Sequence, residues 1–246
     1  MDKILLGCRG VSKRFGETQA LRDVSVDIQS GRIHTILGEN GSGKSTLAKV
    51  LCGVLPADNG EIRVGGQLIQ GVPDPRMMLA HGVAIVLQEV LVVPNRSVLD
   101  NILLGQDGVF HRCMSVNEKT ELARQTLAQL TDRSIALDRP AGELPLHEQQ
   151  IVVIARGLAR RPDVLILDEA TAALDLADRG KLFDTLKAFC EAGSAVVFVS
   201  HRMPEIVELS DQVHVMQNGV LIAELEGADI NPATLLAHLT QELVDV

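Results

Sequence analysis

The chain has 246 residues, 46% hydrophobic and 22% charged, a globular balance that excludes intrinsic disorder and allows one large domain or two small ones. Five Phe, no Trp and no Tyr leave an aliphatic core, which suits parallel strands buried on both faces. A formal net charge of −9 argues against a nucleic-acid partner, because phosphate backbones are held by basic surfaces.

Met1-Asp2-Lys3 is followed by only three apolar residues, so a signal peptide is not expected. No apolar run reaches the ~18 residues of a membrane span, and the expectation is a soluble, cytoplasmic chain. Cys8, Cys52, Cys113 and Cys190 lie far apart, without zinc-binding spacing, and are expected to be reduced thiols.

The first thirty residues and Glu61–Val64 predict antiparallel strands. Arg32–Leu37 predicts a buried strand, followed by Gly38-Glu39-Asn40-Gly41-Ser42-Gly43-Lys44-Ser45 and a helix from Lys44 to Cys52, with Gly53 at its C-terminal end. Two glycines bracketing four residues before Lys-Ser is the P-loop pattern. Its glycines let successive N–H groups face phosphate oxygens, and the helix adds its positive end. Lys44 is expected on the β- and γ-phosphates and Ser45 on Mg²⁺, with Thr46 completing the nucleotide-binding set. The alternative is a flexible Gly-Ser loop. By composition the pattern arises by chance in roughly one such chain in a hundred, and the strand before it and helix after it reduce that further.

Ile85–Leu87 predicts another buried strand. From about Gln88 to Arg161 strands give way to helical patterns, including a capping-box start at Ser115 and Glu118 for a helix reaching about Leu130. Residues 89–161 are therefore expected to form a helical subdomain inserted into a single α/β domain spanning residues 1–246. Val164–Leu167 predicts a strand ending in Asp168-Glu169. Asp168 is the candidate Mg²⁺ ligand and Glu169 the candidate group to polarise the attacking water. Helical stripes flank this strand, at Ile151, Ile154, Ala155 and Leu158 before it and at Leu182, Phe183, Leu186, Phe189 and Cys190 after it. The strand Ala195–Val199 leads through Ser200 to His201.

Taken together these residues resemble the ABC transporter ATPases over nearly the whole chain. The resemblance implies the fold of that family: a P-loop α/β core, an antiparallel β region and an inserted helical subdomain. It implies that Phe15, in Val11-Ser12-Lys13-Arg14-Phe15-Gly16, stacks on adenine; Phe replaces the commoner Tyr but keeps the π-face. A core phenylalanine is the alternative. It implies that Gln88 contacts Mg²⁺ or the attacking water and that His201 is the switch histidine. Asp175, in Ala172-Ala173-Leu174-Asp175, would lie on the loop at the dimer interface. A narrower likeness to monosaccharide importers of the ribose, galactose and xylose type rests on five segments. These are Gln88-Glu89, Val93-Pro94, Ser97-Val98, Asn101-Ile102-Leu103-Leu104-Gly105 and Ser200-His201-Arg202-Met203-Pro204-Glu205-Ile206.

The resemblance further implies a MgATP-driven importer motor on the inner face of a bacterial plasma membrane. Its partners would be a second ATPase domain, transmembrane permease subunits and, indirectly, a periplasmic substrate-binding protein. Leu91, Val92, Val93 and Pro94 would either meet the permease or belong to the subdomain core.

Two departures stand out. The sugar importers carry two ATPase domains in one chain, whereas one is present here; its companion is another part of a longer chain or a separate chain. The family signature Leu-Ser-Gly-Gly-Gln aligns with Leu144-Pro145-Leu146-His147-Glu148. Pro145 lacks both hydroxyl and backbone N–H, and His147 puts an imidazole where glycine allows close approach. An asymmetric pair of ATPase domains is therefore expected. The alternatives are a regulatory ATP-binding subunit with weak hydrolysis, and an ABC ATPase outside transport.

Overall fold

The computed structural model describes residues 3–106 and 114–240; Cys113 lies outside them. Cys8, Cys52 and Cys190 are free and buried. No helix among the described residues is long and apolar enough to cross a membrane.

The chain opens with two long antiparallel strands, β1 (Ile4–Phe15) and β2 (Thr18–Gln29). With β4 (Asn59–Val64) and β5 (Gln67–Leu68) they form a four-stranded antiparallel sheet in the order β2-β1-β4-β5. The second sheet contains β3 (Ile33–Gly38), β6 (Val83–Val86), β7 (Val164–Asp168), β8 (Ala195–Val199), β9 (Gln212–Gln217) and β10 (Val220–Glu226), in the order β10-β9-β3-β8-β7-β6. Only β10 runs antiparallel to its neighbour.

The central strands are apolar throughout because each face meets a different core. Along β7, Leu165 and Leu167 join the core shared with the helical insertion, while Val164 and Ile166 join the core toward α1 (Lys44–Leu51) and the antiparallel sheet. On β8, Val196 and Phe198 take the first side and Ala195, Val197 and Val199 the second. The two-residue period of a strand thus divides one sheet between two cores.

Helix α2 (Pro75–Ala80) precedes β6, and between β6 and β7 lie α3 (Val98–Ile102), α4 (Val116–Leu130) and α5 (Leu146–Ala159). The capping box read at Ser115 and Glu118 is present. Helical structure starts at Val98 rather than at residue 89, and the segment between, which turns at Pro94-Asn95, is tied down by Asn101, whose amide exchanges hydrogen bonds with Val93 (2.8 and 3.1 Å). Gly157 lets α5 lie on the sheet: a Cβ there would meet Val86 Cγ2 at 3.0 Å and Leu165 Cδ1 at 3.1 Å. The strand expected at Ile85–Leu87 starts and ends earlier. Asp163 and Val164 both donate to Gly82 O, so pairing with β7 begins at Val83 and ends at Val86. Helices α6 (Leu176–Glu191) and α7 (Met203–Leu209) follow β7 and β8.

Candidate nucleotide site

The carboxyl ends of β3, β7 and β8 lie side by side, and the chemistry-bearing residues follow directly from them. Such an edge is where open α/β sheets take ligands. After β3 the chain turns through residues 39–43 into α1. Gly43, the N-cap residue, sits at φ 102°, and a Cβ there would fall 2.5 Å from Ala20 O, so only glycine fits. No side chain caps α1, which leaves its first N–H groups for an outside acceptor. Lys44 is buried and reaches back across the loop, donating to Gly38 O and Glu39 O, both at 2.8 Å. An ammonium has three donors, so one is left for a phosphate. Burial lowers the Lys44 pKa, against the pull of Glu169, Asp168 and Glu39.

Ser45 Oγ donates to Asp168 Oδ1 at 2.8 Å, joining the P-loop to the end of β7. Asp168 is fully buried, and its Oδ2 has no hydrogen-bond partner. Burial raises its pKa, partly offset by the Ser45 bond. A buried carboxylate oxygen without a donor fits a hard cation, and hydroxyl plus carboxylate is the oxygen set Mg²⁺ takes.

Glu169 is held at φ 50°, in the left-handed region that non-glycine residues rarely adopt. Its backbone N–H donates to Val199 O at 3.0 Å, while its carboxylate gathers two partners. Gln88 Nε2 donates to Oε2 at 3.1 Å, and His201 Nδ1 lies 3.2 Å from Oε1. All three candidate catalytic residues, separated by 81 and 32 positions in sequence, meet on one side chain.

A family model described as ABC transporter matches residues 21–172. The chain belongs to that family. Among curated relatives it is 39% identical over 215 residues to a ribose import ATP-binding protein of Rhizobium johnstonii, covering 87% of this chain and 42% of the relative. A ribose import ATP-binding protein of Yersinia pestis is 38% identical over 240 residues, covering 96% and 46%. This sequence therefore spans a little under half the length of these relatives. A nucleotide-free ATP-binding cassette from an ABC transporter superposes with a TM-score of 0.82 at 26% identity, covering 97% of this chain and all of that one. A cassette in its ADP conformation gives 0.80 at 28% identity, covering 97% and 99%. The fold is that of an ABC ATPase cassette.

Other residues singled out in this cassette lie around the site. Phe15 is 48% exposed at the end of β1, so it is not a core residue; Lys13 Nζ lies 5.7 Å from its ring centroid and pairs with Asp58. Asp175 is the N-cap of α6, accepting from Asp178 N at 2.9 Å, and is also paired with Arg133. Arg133, just beyond α4, escaped the sequence reading because nothing local links it to a residue 42 positions away.

The signature segment is an uncapped helix start. Leu144 is buried, Leu146 is 60% exposed, and Pro145 is the N-cap of α5 without a side-chain hydrogen bond. His147 and Glu148 are half-buried, and His147 Nε2 has no partner. Leu91 and Val93 are exposed, whereas Val92 packs on the subdomain core. Arg156 pins the segment by donating to Leu91 O at 2.8 Å. The two readings of residues 91–94 thus divide residue by residue.

Proposed function

We propose that this cassette binds MgATP, closes head-to-tail on a second cassette, hydrolyses the nucleotide and thereby drives import of a monosaccharide through membrane permease subunits. The observation that carries this reading is the convergence of Gln88 and His201 on the Glu169 carboxylate, beside the Lys44–Ser45–Asp168 cluster. Backbone N–H groups of residues 38–46 and the Lys44 ammonium hold the β- and γ-phosphates, and Phe15 offers its exposed face to adenine. Ser45 and Asp168 hold Mg²⁺ with Gln88 nearby; when bound, the ion neutralises charge on the β- and γ-oxygens. Glu169 orients and polarises the attacking water, and His201 hydrogen-bonds the γ-phosphate while keeping Glu169 in place. Leu91 and Val93 face the permease, and a periplasmic binding protein delivers the cargo. Sugar as cargo rests on the names carried by the relatives.

The pair is asymmetric in this reading. An N-cap serine has a hydroxyl that a γ-phosphate can use, and Pro145 has none. The nucleotide in this chain's P-loop is completed by the companion's signature and hydrolysed fast. The nucleotide facing Pro145 and His147 is held and turned over slowly. The uncapped start of α5 also favours the second reading, a chiefly regulatory ATP-binding subunit.

Two measurements test the proposal. Calorimetry on the chain alone should show MgATP binding that weakens roughly 10- to 100-fold in Lys44→Ala, the loss of a charge-assisted contact; equal affinities would remove the P-loop assignment. ATPase activity should be low for the chain alone and rise on mixing with a cassette bearing Leu-Ser-Gly-Gly-Gln. No rise despite a demonstrated heterodimer would favour the regulatory reading.

A further inference from the structure

Glu205 is a buried carboxylate outside the nucleotide-binding set. It lies in the first turn of α7 and its side chain is 3% exposed. A lone buried carboxylate is costly, but this one is surrounded by donors. Thr171 Oγ1 (2.9 Å) and Ser200 Oγ (3.1 Å) donate to Oε2. Arg179 Nη1 and Arg202 Nη1, each at 3.2 Å, donate to Oε1. Ser200 Oγ in turn accepts from Arg202 N at 3.1 Å.

The donors come from the segments that carry the chemistry. Thr171 is two residues beyond Glu169. Ser200 and Arg202 flank His201. Arg179 is one turn into α6, whose N-cap is Asp175. One carboxylate thus binds together the backbone on either side of the Glu169–His201 contact. Pinning α7 alone would not require hydroxyls from both loops on the same oxygen. A buried, fully satisfied network of this kind rigidifies its surroundings, and small displacements of reacting groups cost large factors in rate.

We propose that Glu205 is a positioning residue that keeps His201 and Glu169 in register through Thr171 and Ser200, and links that pair to the Asp175 loop through Arg179. It touches neither nucleotide nor metal. The proposal rests on the reading that Glu169 and His201 act at the γ-phosphate, so its test has one arm that needs no hydrolysis.

The test variants are Thr171→Val and Ser200→Ala, which remove the two hydroxyls and leave both guanidinium partners; Glu205→Gln serves as a third where it folds. In the first arm, long-range ¹H–¹⁵N spectra of the labelled chain follow the His201 imidazole, assigned with His201→Gln. Glu169→Gln, which replaces one partner atom of that ring, should shift its Nδ1 resonance. The Thr171→Val/Ser200→Ala pair should move it in the same direction by at least half as much. An unmoved His201 signal in a folded double variant overturns the proposal, whatever the hydrolysis assay shows.

In the second arm, the chain paired with an intact-signature cassette is assayed for turnover. The double variant should lose about ten- to a hundredfold in kcat, with KM for ATP within about twofold of wild type. In a His201→Ala background the double variant should bring little further loss, because positioning a residue that is gone has no effect. Full additivity with His201→Ala, or a change confined to KM, overturns the positioning role. A hydrolysis-deficient wild-type pair, or a Glu169→Gln chain as fast as wild type, would instead refute the functional reading, leaving the spectra to decide the fate of Glu205.

Discussion

The P-loop edge and the start of α5 are both helix N-termini, and they differ in how each is furnished. At α1 the absence of a cap is compensated by its surroundings: a glycine at φ 102°, a lysine folded across the loop and a buried carboxylate with one oxygen to spare. At α5 the cap is also absent, but there a proline stands in its place and a histidine ring occupies the first turn. On the proposed reading, exposed N–H groups alone do not make a phosphate site; the side chains around them distinguish the two helix starts.

The comparison breaks if the complete edge proves dispensable. Glu169→Gln should lower turnover by roughly 10²–10⁴-fold while MgATP still binds, measured by single-turnover hydrolysis in a pair with an intact-signature cassette. Unchanged turnover would remove Glu169 from the chemistry. Next in size is repair of the altered helix start. Pro145→Ser with His147→Gly should raise homodimer ATPase activity by up to about 10²–10³-fold, the usual worth of one preorganised donor. A wild-type homodimer that already hydrolyses fast, or a repaired dimer with no gain, would end the asymmetry.

Acid titration sharpens the comparison by separating fold stability from site chemistry. His34, on the strand that leads to the P-loop, is fully buried. Burial first, and then neighbouring His214, lower its pKa from an ordinary 6.5 to about 4. His34 Nδ1 is 3.2 Å from His214 Nε2, and His214 Nδ1 is 3.3 Å from Glu224 Oε1. Between pH 6.5 and 4 the unfolded chain takes up a proton that folded His34 refuses, so stability falls as pH falls through that window. The loss is on the order of 3 kcal/mol. Chemical denaturation across this range should show a flatter dependence in His34→Gln.

The smallest expected effect belongs to the α5 start itself. Pro145→Ser alone restores a side-chain acceptor to the N-cap but gives back freedom to the unfolded chain. Stability should rise by no more than about 1 kcal/mol, read as a melting shift of a few degrees at most. A larger change would mean that the two variants in the repair experiment act through folding.

Sequence alone revealed the elements whose signal is local: the P-loop, the apolar strands ending in Asp168-Glu169, the capping box and the helical stripes. It also supported Phe15 as a stacking candidate, and exposure removes the core alternative. What stayed hidden is long-range. Nothing near Glu205 or Arg133 announces their partners, because the contacts are made by residues from other elements that only the folded sheet edge and α6 bring together. The start of β6 was missed by two residues because the register is set by Gly82 meeting Asp163 and Val164, not by hydrophobicity.

The left-handed backbone at Glu169 bears on how variants of this chain should be selected. A non-glycine residue held there carries a penalty of about 1–2 kcal/mol, so glycine at 169 is the more comfortable occupant and removes the carboxylate that gathers Gln88 and His201. Directed evolution scored on heat tolerance alone would reward that change. On the proposed reading of Glu169 as the group that polarises the attacking water, thermostability and catalysis pull position 169 in opposite directions, and a selection that omits turnover would drift toward a sturdier, silent protein.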